Sequence, residues 1–133
     1  MAESIFTKII KGEIPAHKIY EDENILAFLD IRPINPGHTL VVPKQEIDYL
    51  FDLPDNIYAG MMAVCKKIEP AIRKASGAKR VGIAVEGFAI QHAHIHLVPI
   101  NSGNELDPNR AKPALDEELA AMAEKIKSFL YAK

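Results

Sequence analysis

The chain has 133 residues, 48% of them hydrophobic and 26% charged, with a formal net charge of −2. That size and balance suit one globular unit over residues 1–133 that buries a core without disulfides or metals, and the lone Cys65 has no internal partner to pair with. The charge gives no electrostatic reason to bind nucleic acid, and no run approaches the ~18 apolar residues of a membrane span. The opening MAESIFTKIIKGE lacks a leader-peptide pattern, so a reducing cytoplasm is the expected compartment.

In SIFTKIIKGEIP, Ser4 can cap a short helix carrying Ile5, Phe6, Ile9 and Ile10, which should stop near Gly12 and Pro15. HKIYEDENILAFLDI reads as two strands joined by the polar turn Glu21–Asn24. RPINPG is a rigid loop, and HTLVVPK a buried β-branched strand. From Asp55 to Ser76, the residues Ile57, Met61, Val64, Cys65, Ile68, Ile72 and Ala75 recur at helical spacing, with a stop at Gly77. Pro70 predicts a kink or break inside that helix. RVGIAVE reads as a further buried strand, and QHAHIHLVP as a strand of strict alternation. NSGNELDPNRAKP, residues 101–113, is a polar loop whose place after that strand suggests that it, or the C-terminal helix that follows, shapes the leaving-group side of a pocket. A last helix over 114–131 puts Leu115, Leu119, Met122, Ile126 and Phe129 on one face. The sum is an α+β fold: a five-stranded, mostly antiparallel sheet with helices packed on one face.

QHAHIHLVP concentrates three histidines, His92, His94 and His96, at alternate positions. Alternation in a strand puts them on one face, about 6.6 Å apart between neighbouring Cα atoms, with Ala93, Ile95 and Leu97 on the other. Such a row can be a hydrogen-bonded oddity, a metal site or a catalytic set. A single metal fits it poorly, since the outer pair is about 13 Å apart by the same rise. A middle imidazole can act as a nucleophile while its neighbours donate protons to developing negative charge. No Gly-rich phosphate loop accompanies the row.

These residues resemble the histidine triad (HIT) family of nucleotide hydrolases and transferases. The resemblance rests on His92-Ala93-His94-Ile95-His96-Leu97-Val98, on SIFTKIIKGEIPAHKIYED and on NILAFLDIRPINPGHTLVVPK, in that order, and covers nearly the whole chain. It implies that His94 is the nucleophile toward the α-phosphorus of a purine nucleotide derivative, forming a nucleotidyl-histidine. His96 would bind phosphate oxygens, His92 would assist protonation of the leaving group, and His38 would support the triad. Asp30 would accept the ribose hydroxyls, and Ile14, Phe28 and Ile31 would wall the base. The resemblance implies a homodimer with an AMP-like substrate or product and no cofactor. Its implied activity is that of an adenosine phosphoramidase. The alternatives are a dinucleoside polyphosphate hydrolase and a purine-nucleotide-binding protein of little turnover.

The chain departs from the family pattern twice. Many members carry Gly-Gln-Ser/Thr-Val before the triad, where this chain reads VEGFAIQ. Gln91 is expected to point with Ala93, away from the histidines. Zinc-binding members carry Cys-x-x-Cys near the start, where this chain has Ser4-Ile5-Phe6-Thr7, so no metal site is implied.

Overall fold

The computed structural model describes residues 3–132. Five strands form one antiparallel sheet: β1 (Lys18–Glu21), β2 (Ile25–Leu29), β3 (Thr39–Pro43), β4 (Arg80–Ala84) and β5 (Ile95–Ile100), in spatial order β1-β2-β3-β5-β4. Three helices accompany it: α1 (Ile5–Ile10), α2 (Asp55–Ser76) and α3 (Asp116–Leu130). The α+β reading holds, as do the elements from the first helix to β3.

Strand alternation divides the apolar residues between two cores. Ile25, Ala27, Leu29, Val41, Ile95 and Leu97 pack against α2 and α3. Leu26, Phe28, Leu40 and Val42 face the other way, against Phe6 and Ile9 of α1. The helices therefore do not share one face, as the sequence reading expected. α1 covers the second face because that face is apolar as well, and one turn and a half of helix supplies two buried side chains for it.

The long helix obeys its pattern: Met61, Ile68 and Ile72 are fully buried, each stabilising by about 1.5–3 kcal/mol relative to exposure. Pro70 does not break it; the helix is continuous from Asp55 to Ser76. Proline removes the hydrogen bond to the Lys66 carbonyl, but Pro70 and Lys66 are both exposed, so water can take that acceptor. Gly77 ends the helix in the left-handed region at φ 72°, its N–H on the Arg73 carbonyl, a conformation glycine adopts without a Cβ penalty.

Further expectations need correction. RVGIAVE is not a buried strand: β4 ends at Ala84 and is a half-exposed edge, with Ile83 and Val85 open to solvent. Apolar composition cannot tell an edge from a central strand. QHAHIHLVP is a strand only from Ile95. In α3, Leu119 and Ile126 are buried together with Ala123, whereas Leu115 precedes the helix and Phe129 is exposed.

Candidate active site

The site is built on the α1 face of the sheet. Register aligns Phe28 of β2 with Leu40 of β3, and Leu40 with His96 of β5. One row of side chains thus runs from an aromatic wall to a histidine. Asp30 and His38 flank the β2–β3 connection, where the Asp30 N–H bonds the His38 carbonyl at 3.0 Å. Gly37 precedes His38 at φ 97°, and a Cβ there would lie 3.1 Å from Pro99 Cγ. Both conditions demand glycine, which lets the chain turn His38 inward to 2% exposure.

The partners of the histidines define their protons. Ile34 N–H donates to His38 Nδ1 at 3.0 Å, so His38 carries its proton on Nε2 and donates it to His96 Nδ1 at 2.9 Å. His96 is left with a proton on Nε2. His94 Nδ1 lies 2.7 Å from the His92 carbonyl. A carbonyl only accepts, so His94 donates from Nδ1 and Nε2 keeps its lone pair. Every buried side-chain nitrogen and oxygen among the described residues has a partner. His94 Nε2 and His96 Nε2 make no hydrogen bond, so both open outward.

They open on a cavity of about 460 Å³ that also exposes Asp30 and His38. Phe28, Ile14 and Ile31, the expected apolar residues, all line it. Ile31 is a rim residue and not part of the core. Ile5, Phe6, Ile9 and Leu40 add to the apolar wall, and the sequence reading did not select them. Leu40 was findable, because two-residue alternation puts it on the face of the histidine row. The α1 residues gave no such signal, since their use depends on which face the helix covers. The Phe6 ring meets His94 edge-on at 5.0 Å between centroids and His92 at 5.7 Å.

Burial keeps the supporting imidazoles neutral. It pushes His38 down to about 3, with proximity to His96 adding to the effect. His96 falls to about 4, by burial first and His94 second. Asp30 is raised by burial, against the opposing effect of the Arg32 N–H on its Oδ1 at 2.9 Å. Asp30 Oδ2 lies 3.7 Å from His38 Nε2, too far for a hydrogen bond, which leaves an acceptor free for a ligand hydroxyl.

Asp30, His38 and His96 hold potential ligand atoms within 4.8 Å of one another. Their hydrogen bonds show a relay instead of a metal cradle. Both nitrogens of His38 are occupied, and the Nδ1 lone pair of His96 is already used.

Residues 11–103 match the sequence profile of the HIT domain. The chain belongs to the HIT family. A HIT-like protein of Borreliella burgdorferi is 39% identical over 106 residues, covering 74% of this chain and 76% of that protein. The adenosine 5′-monophosphoramidase hnt1 of Schizosaccharomyces pombe is 33% identical over 135 residues, covering 93% and 96%. The crystal structure of a Hit-like protein from Bartonella henselae superposes with a TM-score of 0.83 at 33% identity, covering 95% of each chain.

Within this HIT chain the triad is not three equivalent side chains. His92 is fully buried and stands outside the cavity lining. Its Nε2–H donates to the Pro43 carbonyl at 2.8 Å, and its Nδ1 accepts from the Ser4 hydroxyl at 2.7 Å. The structure brings His94, His96, His38 and Asp30 together, and leaves His92 behind them. Ser4 and Thr7, at the places where zinc-binding HIT proteins have cysteines, offer hydroxyls in place of thiolates. Both are engaged, Thr7 with Glu46 at 2.6 Å, so this set does not fit zinc.

Residues 86–90, in the stretch before the triad that departs from the usual HIT segment, form part of the cavity wall, while Gln91 is exposed and lines an adjoining groove with Ala93 and His94. The 101–113 loop contributes to the same cavity. Pro108 and Ala111 wall the cavity beside Ile31 and Arg32. Lys112 N–H bonds the Pro33 carbonyl, and Ala114 N–H the Ile31 carbonyl, at 3.3 and 3.1 Å. The loop therefore closes the end next to Asp30.

Proposed function

We propose that this HIT protein hydrolyses nucleoside monophosphate derivatives of the adenosine phosphoramidate type, through a nucleotidyl intermediate on His94. The observation that carries the reading is the His94 Nδ1–H bond to the His92 carbonyl, which leaves Nε2 as a lone pair facing the cavity. The relative named adenosine 5′-monophosphoramidase supports the substrate class.

In this reading the base lies against Phe28, Ile14 and Ile31, and the ribose hydroxyls donate to Asp30. His94 Nε2 attacks phosphorus. An N–P bond forms as the bond to the amine breaks, and the amine keeps the electron pair and takes a proton from solvent. His96 Nε2–H donates to a phosphate oxygen as charge builds there, and the His38 bond holds that tautomer in place. Water then attacks phosphorus: a P–O bond forms, the N–P bond breaks with its electron pair returning to His94 Nε2, and the proton of the water is released to solvent. His92 supports this arrangement from behind and does not reach the leaving group.

The whole chain is proposed to work as a homodimer. β4 is an edge strand, and beside it lie exposed Tyr49, Phe51, Ile83, Val85 and Phe88, the last 93% exposed. An apolar patch next to an unpaired strand edge is what a second copy can cover. Among the described residues no helix is long and apolar enough to cross a membrane.

The test is turnover of adenosine phosphoramidate by the purified chain and by His94→Ala. Release of AMP by the wild type, with its loss in the variant, supports the reading. Equal rates in the two would exclude His94 as the nucleophile.

A further inference from the structure

The segment that carries His94 is weakly tied to the sheet. β5 begins at Ile95, so residues 91–94 lie outside the strand ladder. Their one backbone tie is the Ala93 N–H to the Ile47 carbonyl at 2.7 Å. What else fixes the His92 peptide is its own side chain, held at both ring nitrogens by Pro43 and Ser4.

The proton positions around His92 follow from its bond to Pro43. The Pro43 carbonyl can only accept, so His92 is protonated on Nε2 and its Nδ1 must accept. Thr7 Oγ lies 3.4 Å from that nitrogen but gives its proton to Glu46 at 2.6 Å. Ser4 Oγ is the remaining donor: Thr7 Oγ1 is a second acceptor for its proton at 3.2 Å, but His92 Nδ1 is nearer at 2.7 Å. Glu46 also takes the Ser4 backbone N–H at 2.7 Å, and Ser4 Oγ accepts from Thr7 N–H at 3.0 Å as the cap of α1.

We infer that Ser4, aligned by Thr7 and Glu46, is a positioning residue for catalysis. It fixes the His92 ring as an Nε2–H tautomer, which holds the His92 carbonyl where it selects the Nδ1–H tautomer of His94. The inference deepens the reading of His94 as nucleophile and rests on it for its catalytic consequence. Burial lowers the basicity of His92, in the sense required for Nδ1 to stay an acceptor. The titratable groups acting on His92 are Glu46, from the loop after β3, and His94. From α1 it meets only hydroxyls and the Phe6 ring.

Substitutions at Ser4 separate this role from helix capping. Ser4→Asp still caps α1 but has no proton to give at neutral pH. Ser4→Asn caps and keeps an amide donor. The histidine tautomers are read by long-range nitrogen–proton NMR on the free protein, and kcat and KM on adenosine phosphoramidate across pH. Ser4→Asp should protonate His92, lower kcat about ten- to a hundredfold, the scale of losing the hydrogen-bond partner that orients a metal-ligating histidine, leave KM unchanged and move the acid limb of the kcat profile to higher pH. Ser4→Asn should recover most of that loss. Wild-type tautomers and an unshifted profile in Ser4→Asp would overturn the inference, as would equal losses in Asp and Asn. If the wild type shows no turnover, the hydrolase reading fails, and the NMR arm still decides whether Ser4 sets the two tautomers.

Discussion

The Nδ1–H of His94 donates to the backbone carbonyl of His92 at 2.7 Å. The orientation of the proposed nucleophile is therefore set by main chain, which a side-chain substitution at 92 leaves chemically in place but no longer anchored. His94→Ala should lose at least about a thousandfold in kcat, the scale seen when a nucleophile is removed. His92→Ala should lose less and keep a detectable nucleotidyl adduct on His94. Single-turnover assays with mass analysis of the quenched protein check both.

Asp30 offers a free carboxylate oxygen on the cavity. Asp30→Asn should raise KM about tenfold or more, as hydrogen bonds to charged groups are worth about 1.5–3 kcal/mol, with a smaller effect on kcat. Wild type should discriminate against 2′-deoxy substrates, and the variant should lose most of that discrimination. Steady-state kinetics on the ribo and deoxy pair read this directly.

Stability should fall as pH drops from about 6.5 toward 4.5, above the range where most carboxylates titrate. His38 and His96 resist protonation when folded, at about 3 and about 4, but bind protons at ordinary pH when unfolded. The unfolded chain thus holds more protons across this window, and stability is lost on acidification, by at most about 1.4 kcal/mol per pH unit for each histidine. Asp30, raised by burial, works in the opposite sense at the acid end. Urea midpoints by circular dichroism should show the fall, and His38→Gln should flatten it.

Ile83→Lys places a charge in the exposed apolar patch beside the β4 edge. Sedimentation should find a dimer for the wild type and a monomer for this variant, with the far-ultraviolet spectrum unchanged. A wild-type monomer at micromolar concentration would remove the homodimer proposal.

Much of the fold was legible in the apolar pattern, although the helical spacing misplaced Leu115 and Phe129 and the alternation of QHAHIHLVP began before the strand does. The helical spacing of Met61, Val64, Ile68 and Ile72 pointed to the observed helix and its buried face, and the apolar β-branched run through Leu40, Val41 and Val42 to the observed buried strand. What escaped depends on tertiary placement. Nothing in RVGIA distinguishes an edge from a centre, and the effect of Pro70 depends on whether the abandoned Lys66 carbonyl lies on the exposed side of the folded helix. The triad shows the same limit. Alternation put Ala93, Ile95 and Leu97 in the core and the histidines opposite, and the structure agrees. But spacing treats His92, His94 and His96 alike. Ser4 and Pro43 enclose the first, and neither lies near it in sequence.

The two faces of the sheet are clothed unequally. One carries α2 and α3, of 22 and 15 residues, and the other is covered by the six residues of α1, with the cavity beside it. The second face is an unfinished core. A nucleoside laid against Phe28 and Leu40 would supply the missing layer, so binding would complete folding on that side as well as present phosphorus to His94. Ligand that binds only the finished state adds RT ln(1 + [L]/Kd) to stability. Saturating AMP should then slow amide exchange most in α1 and in the strands beneath it. The protein and its ligand would share one hydrophobic interior.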